Sequence, residues 1–92
     1  MINGDINEFM DKLWGGEELI FTYHGKKYFS QGYYNNDGEY YFELQEWEPH
    51  PSLLWSIVGC SNQESLSAFL NEPLFDGERF WDVEQEIEWV DN

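Results

Sequence analysis

The stretch Lys27–Trp47, KYFSQGYYNNDGEYYFELQEW, decides the fold. Its two halves are aromatic-rich and alternate with a period of two, the period of a β-strand. Between them stands Asn35-Asn36-Asp37-Gly38. These residue types tolerate positive φ and predict a tight turn. In the first half, Phe29 and Tyr33 fall on one face, and Tyr28 and Tyr34 on the other. In Glu39–Trp47, Tyr40, Phe42 and Leu44 point one way, while Glu39, Glu43 and Gln45 point the other. The second strand therefore reads as apolar on one face and acidic on the opposite one.

Working outward, Leu19–Tyr23 is a further strand, joined to this hairpin by His24-Gly25-Lys26. After the Pro49-His50-Pro51 break, Leu53–Gly59 is apolar on both faces, which predicts a central strand, although a helix also fits. Upstream, residues 5–14 predict a helix. Asp5 is its N-cap with Glu8 as reciprocal partner, Ile6, Phe9, Met10 and Leu13 form its inner face, and Gly15-Gly16 stops it. Downstream, Ser61-Asn62-Gln63-Glu64 matches a capping box before Leu66, Phe69 and Leu70, and Pro73 ends that helix. Asp76 is the expected N-cap of a last helix carrying Phe80, Val83, Ile87 and Val90 on one stripe. The predicted fold is α+β: one domain over residues 1–92, an antiparallel four-stranded meander with an N-terminal helix and two C-terminal helices on one face.

Ninety-two residues suffice for one small core, and 20% of them are Phe, Tyr or Trp. Such an aromatic content separates the chain from disordered acidic tails. The charge is lopsided, with 19 acidic residues against 4 basic ones and a net of −15. Direct contact with nucleic-acid phosphate or an anionic membrane is disfavoured as a function, because the sequence offers no basic patch to neutralise either. No apolar run reaches the roughly 20 residues of a membrane span, and no secretory leader is evident. With Cys60 the single cysteine, no internal disulfide can form, and a cytoplasmic setting is expected.

Three segments carry the acidity: Asp5 to Glu18, then Glu39, Glu43, Glu46 and Glu48, then Asp76 to Asp91. A charge run is often only a solvated face. Here, however, a net of −15 exceeds the roughly 2–8 that solubility needs in a small domain. Acids late in a helix also oppose its dipole, and Glu84 and Glu88 would repel at i,i+4. The expected partner-binding residues are Glu39, Glu43, Glu46, Glu48, Asp82, Glu84, Glu86, Glu88, Trp89 and Asp91. Their carboxylates would stand in for phosphates in the basic groove of a nucleic-acid-binding protein. Exposed aromatics among Tyr34, Tyr41, Trp47, Trp81 and Trp89 would anchor the contact. A Trp47 or Trp89 patch would equally suit a homodimer.

Other chemistries score poorly. The Asn35–Glu39 loop does not fit an EF-hand, and His24, His50 and Cys60 form no zinc pattern. Neither a metal nor a cofactor is expected. There is no glycine-rich phosphate loop before a helix, little room for a substrate cleft, and a lone Cys60, so the chain reads as non-catalytic.

Two stretches carry a resemblance. Phe21-Thr22-Tyr23-His24-Gly25-Lys26-Lys27-Tyr28 has the form F-x-Y-x-G-K-x-Y, and Phe69–Gly77 is followed by Phe80-Trp81 and Ile87-Glu88-Trp89. Together they resemble small acidic proteins of Gram-positive bacteria and their phages or mobile elements. The motifs are structural, so no functional residue is carried over. Some proteins of that setting are anti-CRISPR or anti-restriction inhibitors that mimic DNA, which the resemblance adds to the expectation. The alternatives are an immunity or antitoxin-like protein that neutralises a cationic toxin nuclease, and an interaction module whose acidity serves solubility.

Overall fold

The alternation that marks Leu19–Tyr34 and the strand after it produces a continuous antiparallel sheet in the structure, a computed structural model that describes residues 1–91 and the side chains of residues 1–90. Strands β1 (Leu19–Tyr23), β2 (Lys26–Tyr34), β3 (Tyr40–Glu48) and β4 (Ser52–Val58) form the expected meander. A fifth strand, β5 (Glu88–Asp91), extends it, giving the spatial order β4-β3-β2-β1-β5. Helices α1 (Ile6–Gly15), α2 (Asn62–Asn71) and α3 (Phe80–Val83) lie together on one face of this sheet.

Local signals explain the helix ends. The Asp5 carboxylate accepts from the Asn7 backbone N–H at 2.8 Å, so Asn7, not Glu8, is the partner in the cap. Gly16 closes α1 at φ 73°, and a side chain there would also meet the Gly32 carbonyl oxygen at 2.7 Å. At α2 the capping box is complete: Glu64 N–H donates to the Ser61 hydroxyl, and Ser61 N–H donates to the Glu64 carboxylate, each at 3.1 Å.

The core is built from phenylalanines. Phe9, Phe21, Phe42, Phe69, Phe75 and Phe80 are fully buried, with Leu13, Leu19, Leu44, Val83 and Ile87 around them. Phe9 sits edge-on to Phe21, Phe69 edge-on to Phe42, and Phe75 edge-on to Tyr28, so helices and sheet meet through ring edges. Burying one such ring contributes about 2–3 kcal/mol.

Two further expectations are corrected. The apolar stretch after Pro51 is an edge strand, not a central one. Trp55 and Ile57 face the core against Phe42 and Phe69, while Leu53 and Val58 point to the uncovered side. It is apolar on both faces without being covered on both.

The long last helix is absent. Asp76 lies at φ 57° in the turn before it, and α3 begins instead after Arg79, whose N–H donates to the Asp82 carboxylate at 3.3 Å. The helix stops at Val83, a 3₁₀ turn covers Glu84–Glu86, and residues 88–91 pair with β1. A helix continued through Glu84, Glu86 and Glu88 would gather carboxylates at its negative end. The free edge of β1 offers backbone partners instead.

Candidate functional site

Directly paired residues share a face of a sheet, so the register sorts every strand residue to one side or the other. Leu19, Phe21, Tyr28, Ser30, Phe42 and Leu44 face the helices. On the other side lie Ile20, Phe29, Gln31, Tyr33, Tyr41, Glu43, Gln45, Trp47, Leu53 and Val58. Among the described residues no helix covers that side.

This open face is organised around Glu43. Its carboxylate accepts from Gln31 Nε2 at 2.5 Å, Tyr41 Oη at 2.9 Å and Gln45 Nε2 at 2.9 Å. Only 7% of Glu43 reaches solvent. A carboxylate held by three donors is a fixed charge, oriented before any partner arrives. Burial, and next the hydrogen bond to the Glu43 carboxylate, raise the Tyr41 hydroxyl above its ordinary pKa, so Tyr41 stays a donor to Glu43.

Aromatic pairs flank this hub. Tyr33 and Tyr41 pack at 5.1 Å on one side, and Phe29 and Trp47 stack at 4.7 Å on the other. Trp47 is oriented by donating Nε1–H to Gln45 Oε1 at 2.9 Å. Tyr33, Trp47, Leu53 and Val58 are exposed. The result is a preformed aromatic and aliphatic surface with a hydrogen-bonded polar centre.

The expected acidic face does not exist as one surface. Glu39 and Glu48 are exposed at opposite ends of β3, and Glu48 pairs with Lys27 at 3.3 Å. Glu43 lies on the open face, whereas Glu46 points to the helix side and accepts from the His50 backbone N–H at 3.3 Å. Of the C-terminal carboxylates expected to bind a partner, each whose side chain is described has an internal partner. Asp82 caps α3, Glu84 meets the Met1 amino group at 2.5 Å, Glu86 meets His24 at 2.7 Å, and Glu88 accepts from Asn3 at 2.7 Å. Trp89 is half-buried against Phe9, edge-on at 5.3 Å. The Asp91 side chain lies outside the described residues. Of the expected anchors, Tyr34, Trp47 and Trp81 are exposed, and Tyr41 is half-buried on the open face.

Phe29, Gln31, Tyr33, Gln45, Leu53 and Val58 were not among the expected binding residues. A signal for them was present. Both faces of Lys27–Tyr34 read as aromatic, and one layer of helices can cover only one face.

The lysines do little to offset the acidity. Lys12 pairs with Glu17, Lys26 with Asp76 and Lys27 with Glu48. The open face itself holds one carboxylate, Glu43, at its centre. Among the described residues no three His, Cys, Asp or Glu side chains group in a way that could hold a metal ion, and no helix is long and apolar enough to cross a membrane. Comparison with protein families, with curated proteins and with solved structures finds no match.

Proposed function

We propose that the chain is a non-catalytic binding protein that docks on a basic, nucleic-acid-binding protein through its open sheet face. One observation carries this reading: exposed aromatic and aliphatic side chains around a fixed carboxylate, on a molecule of net charge −15. Interfaces are built from aromatic anchors inside a polar rim, and Tyr33, Trp47, Leu53 and Val58 supply such anchors. The long-range field of the carboxylates steers a cationic partner and raises the association rate, while the apolar face sets the lifetime of the complex. Occupying a groove meant for phosphate makes the protein an inhibitor. A defence nuclease of the kind blocked by anti-CRISPR proteins and a toxin nuclease blocked by an immunity protein are two concrete forms of the same target.

The test is capture of bacterial nucleic-acid-binding proteins at about 0.05 and 0.5 M salt, with duplex DNA as competitor and a Tyr33→Ser/Trp47→Ser variant alongside. The expected result is a basic protein retained at low salt, displaced by DNA, and lost with the variant. Retention that ignores DNA, or equal retention by the variant, overturns the proposal.

A further inference from the structure

The edge strand β4 differs from the opposite edge. Its seven residues, Ser52–Val58, include no charged side chain, and Leu53, Leu54 and Val58 are exposed on it. Natural edge strands are usually blunted by lysine, inward charge, proline or a β-bulge, because their unpaired N–H and C=O groups template another strand. Here Pro51 stands just outside the strand, and Leu54 occupies a local register shift between the Leu44–Trp55 and Gln45–Leu53 pairs. The opposite edge, β5, is only four residues long and begins and ends with a carboxylate residue.

Charge is placed at the two ends of β4 instead of along it. At one end Glu39 lies beside Gly59, its Oε2 3.3 Å from where a Cβ would sit. At the other, the exposed Glu48 precedes the connection into β4 and shares its charge with Lys27 of β2 at 3.3 Å, while Glu46, which pairs with Ser52, is held on the helix side by the His50 N–H. A second copy of this chain suits such an edge badly. Antiparallel pairing of two β4 strands sets Glu48 of one copy near Glu39 of the other, and parallel pairing sets like beside like. Each copy also carries −15. An extended segment with apolar residues in its centre and Lys or Arg at both ends meets the same edge with complementary charge.

We infer that β4 is a strand-addition site for an extended peptide segment of a partner protein, apolar in the middle and basic at both ends. The inference rests on the proposed binding function and specifies how the partner is held. Main-chain hydrogen bonds to β4 give affinity, and the added strand extends the open face next to Leu53 and Val58.

The experiment exposes the intact chain to two pools of nine-residue peptides with alternating valine and threonine. One pool has Lys or Arg at both ends, and the other has Glu. Amide hydrogen exchange is followed residue by residue. The expected result is at least tenfold slower exchange in Ser52–Val58 with the basic pool alone, and a reversed preference in a Glu39→Lys/Glu48→Lys variant. Core amides of β1 and β3 report that the variant is folded. Binding that leaves β4 exchange unchanged, binding of neither pool, or a variant with unchanged preference overturns strand addition. Protection of β4 in the chain alone, with a dimer in sedimentation, overturns the partner segment in favour of a second copy. If DNA-displaceable capture persists while β4 stays unprotected, the binding function stands and the strand-addition site falls. If β4 is protected while no basic protein is captured, the reverse holds.

Discussion

At the scale of single residues, the clearest consequence concerns the buried tyrosines. Burial pushes the Tyr28 hydroxyl up to about 12, with Asp76 and Glu46 adding to the effect. Tyr23, Tyr40 and Tyr41 shift the same way, burial first in each case. An unfolded tyrosine ionises near pH 10. A folded-state pKa above that value means that the fold holds the neutral form. The associated stability is complete below about pH 10 and is lost as the pH rises through about 12. For Tyr28 the loss is on the order of 2–3 kcal/mol. Denaturant unfolding at stepped pH, with tyrosinate absorbance read in parallel, should show a steep fall across that window, and Tyr28→Phe should make it shallower. A flat profile would mean that Tyr28 is reachable by water. Alternation in the sequence placed Tyr28 on a strand face opposite Phe29. It could not show that Asp76, from a distant turn, would come near the hydroxyl, because only tertiary packing brings them together.

At the scale of elements, the meander, α1 and α2 were legible because their signals are local: turn residues, a capping box and a helix-stopping glycine. The C-terminal segment was not. Phe80, Val83, Ile87 and Val90 fit a helical stripe, yet Glu86-Ile87-Glu88-Trp89 also alternates with a strand period. The free edge of β1 decided between them, and that edge exists only once the sheet has formed. The two assignments make opposite predictions about side chains. In the strand, Trp89 packs on Phe9 while Val90 is half exposed. Trp89→Ala should lower stability by about 2–4 kcal/mol, whereas Val90→Ala should stay within about 0.5. Urea midpoints of the two variants would reveal the difference, and the helical stripe would require Val90 to cost at least as much. The candidate site suffered from a related ambiguity. A strand with Glu39, Glu43 and Gln45 on one side reads as acidic, but the neighbouring strand adds Phe29 and Tyr33 to that side and makes it aromatic.

At the scale of the molecule, charge was the most legible property and its distribution the least. Nineteen carboxylate residues against four cations repel one another in the folded state. Raising salt from about 0.01 to 1 M shortens the screening length from about 30 to 3 Å, below the spacing of most surface charges. Repulsion worth on the order of 1 kcal/mol corresponds to roughly 4–8 °C in a domain of this size. Calorimetry should therefore show a Tm that rises with sodium chloride. A falling Tm would mean that the contacts of Glu84, Glu86, Asp76 and Glu48 outweigh the repulsion among the remaining carboxylates.

The placement of β5 beside β1 also orders assembly in time. Pairing within the meander joins neighbours along the chain, whereas the Thr22–Glu88 contact closes a separation of 66 residues. Loop-closure entropy grows with the logarithm of that separation, so contacts between neighbours form before it is repaid. The hairpins can therefore form while one edge of the sheet is still bare, and residues 1–3 cannot settle until β5 arrives, because Ile2 is bridged to Glu88 and Asn3 donates to it. Two segments far apart in sequence thus dock as one late event that seals the edge of a nearly finished sheet.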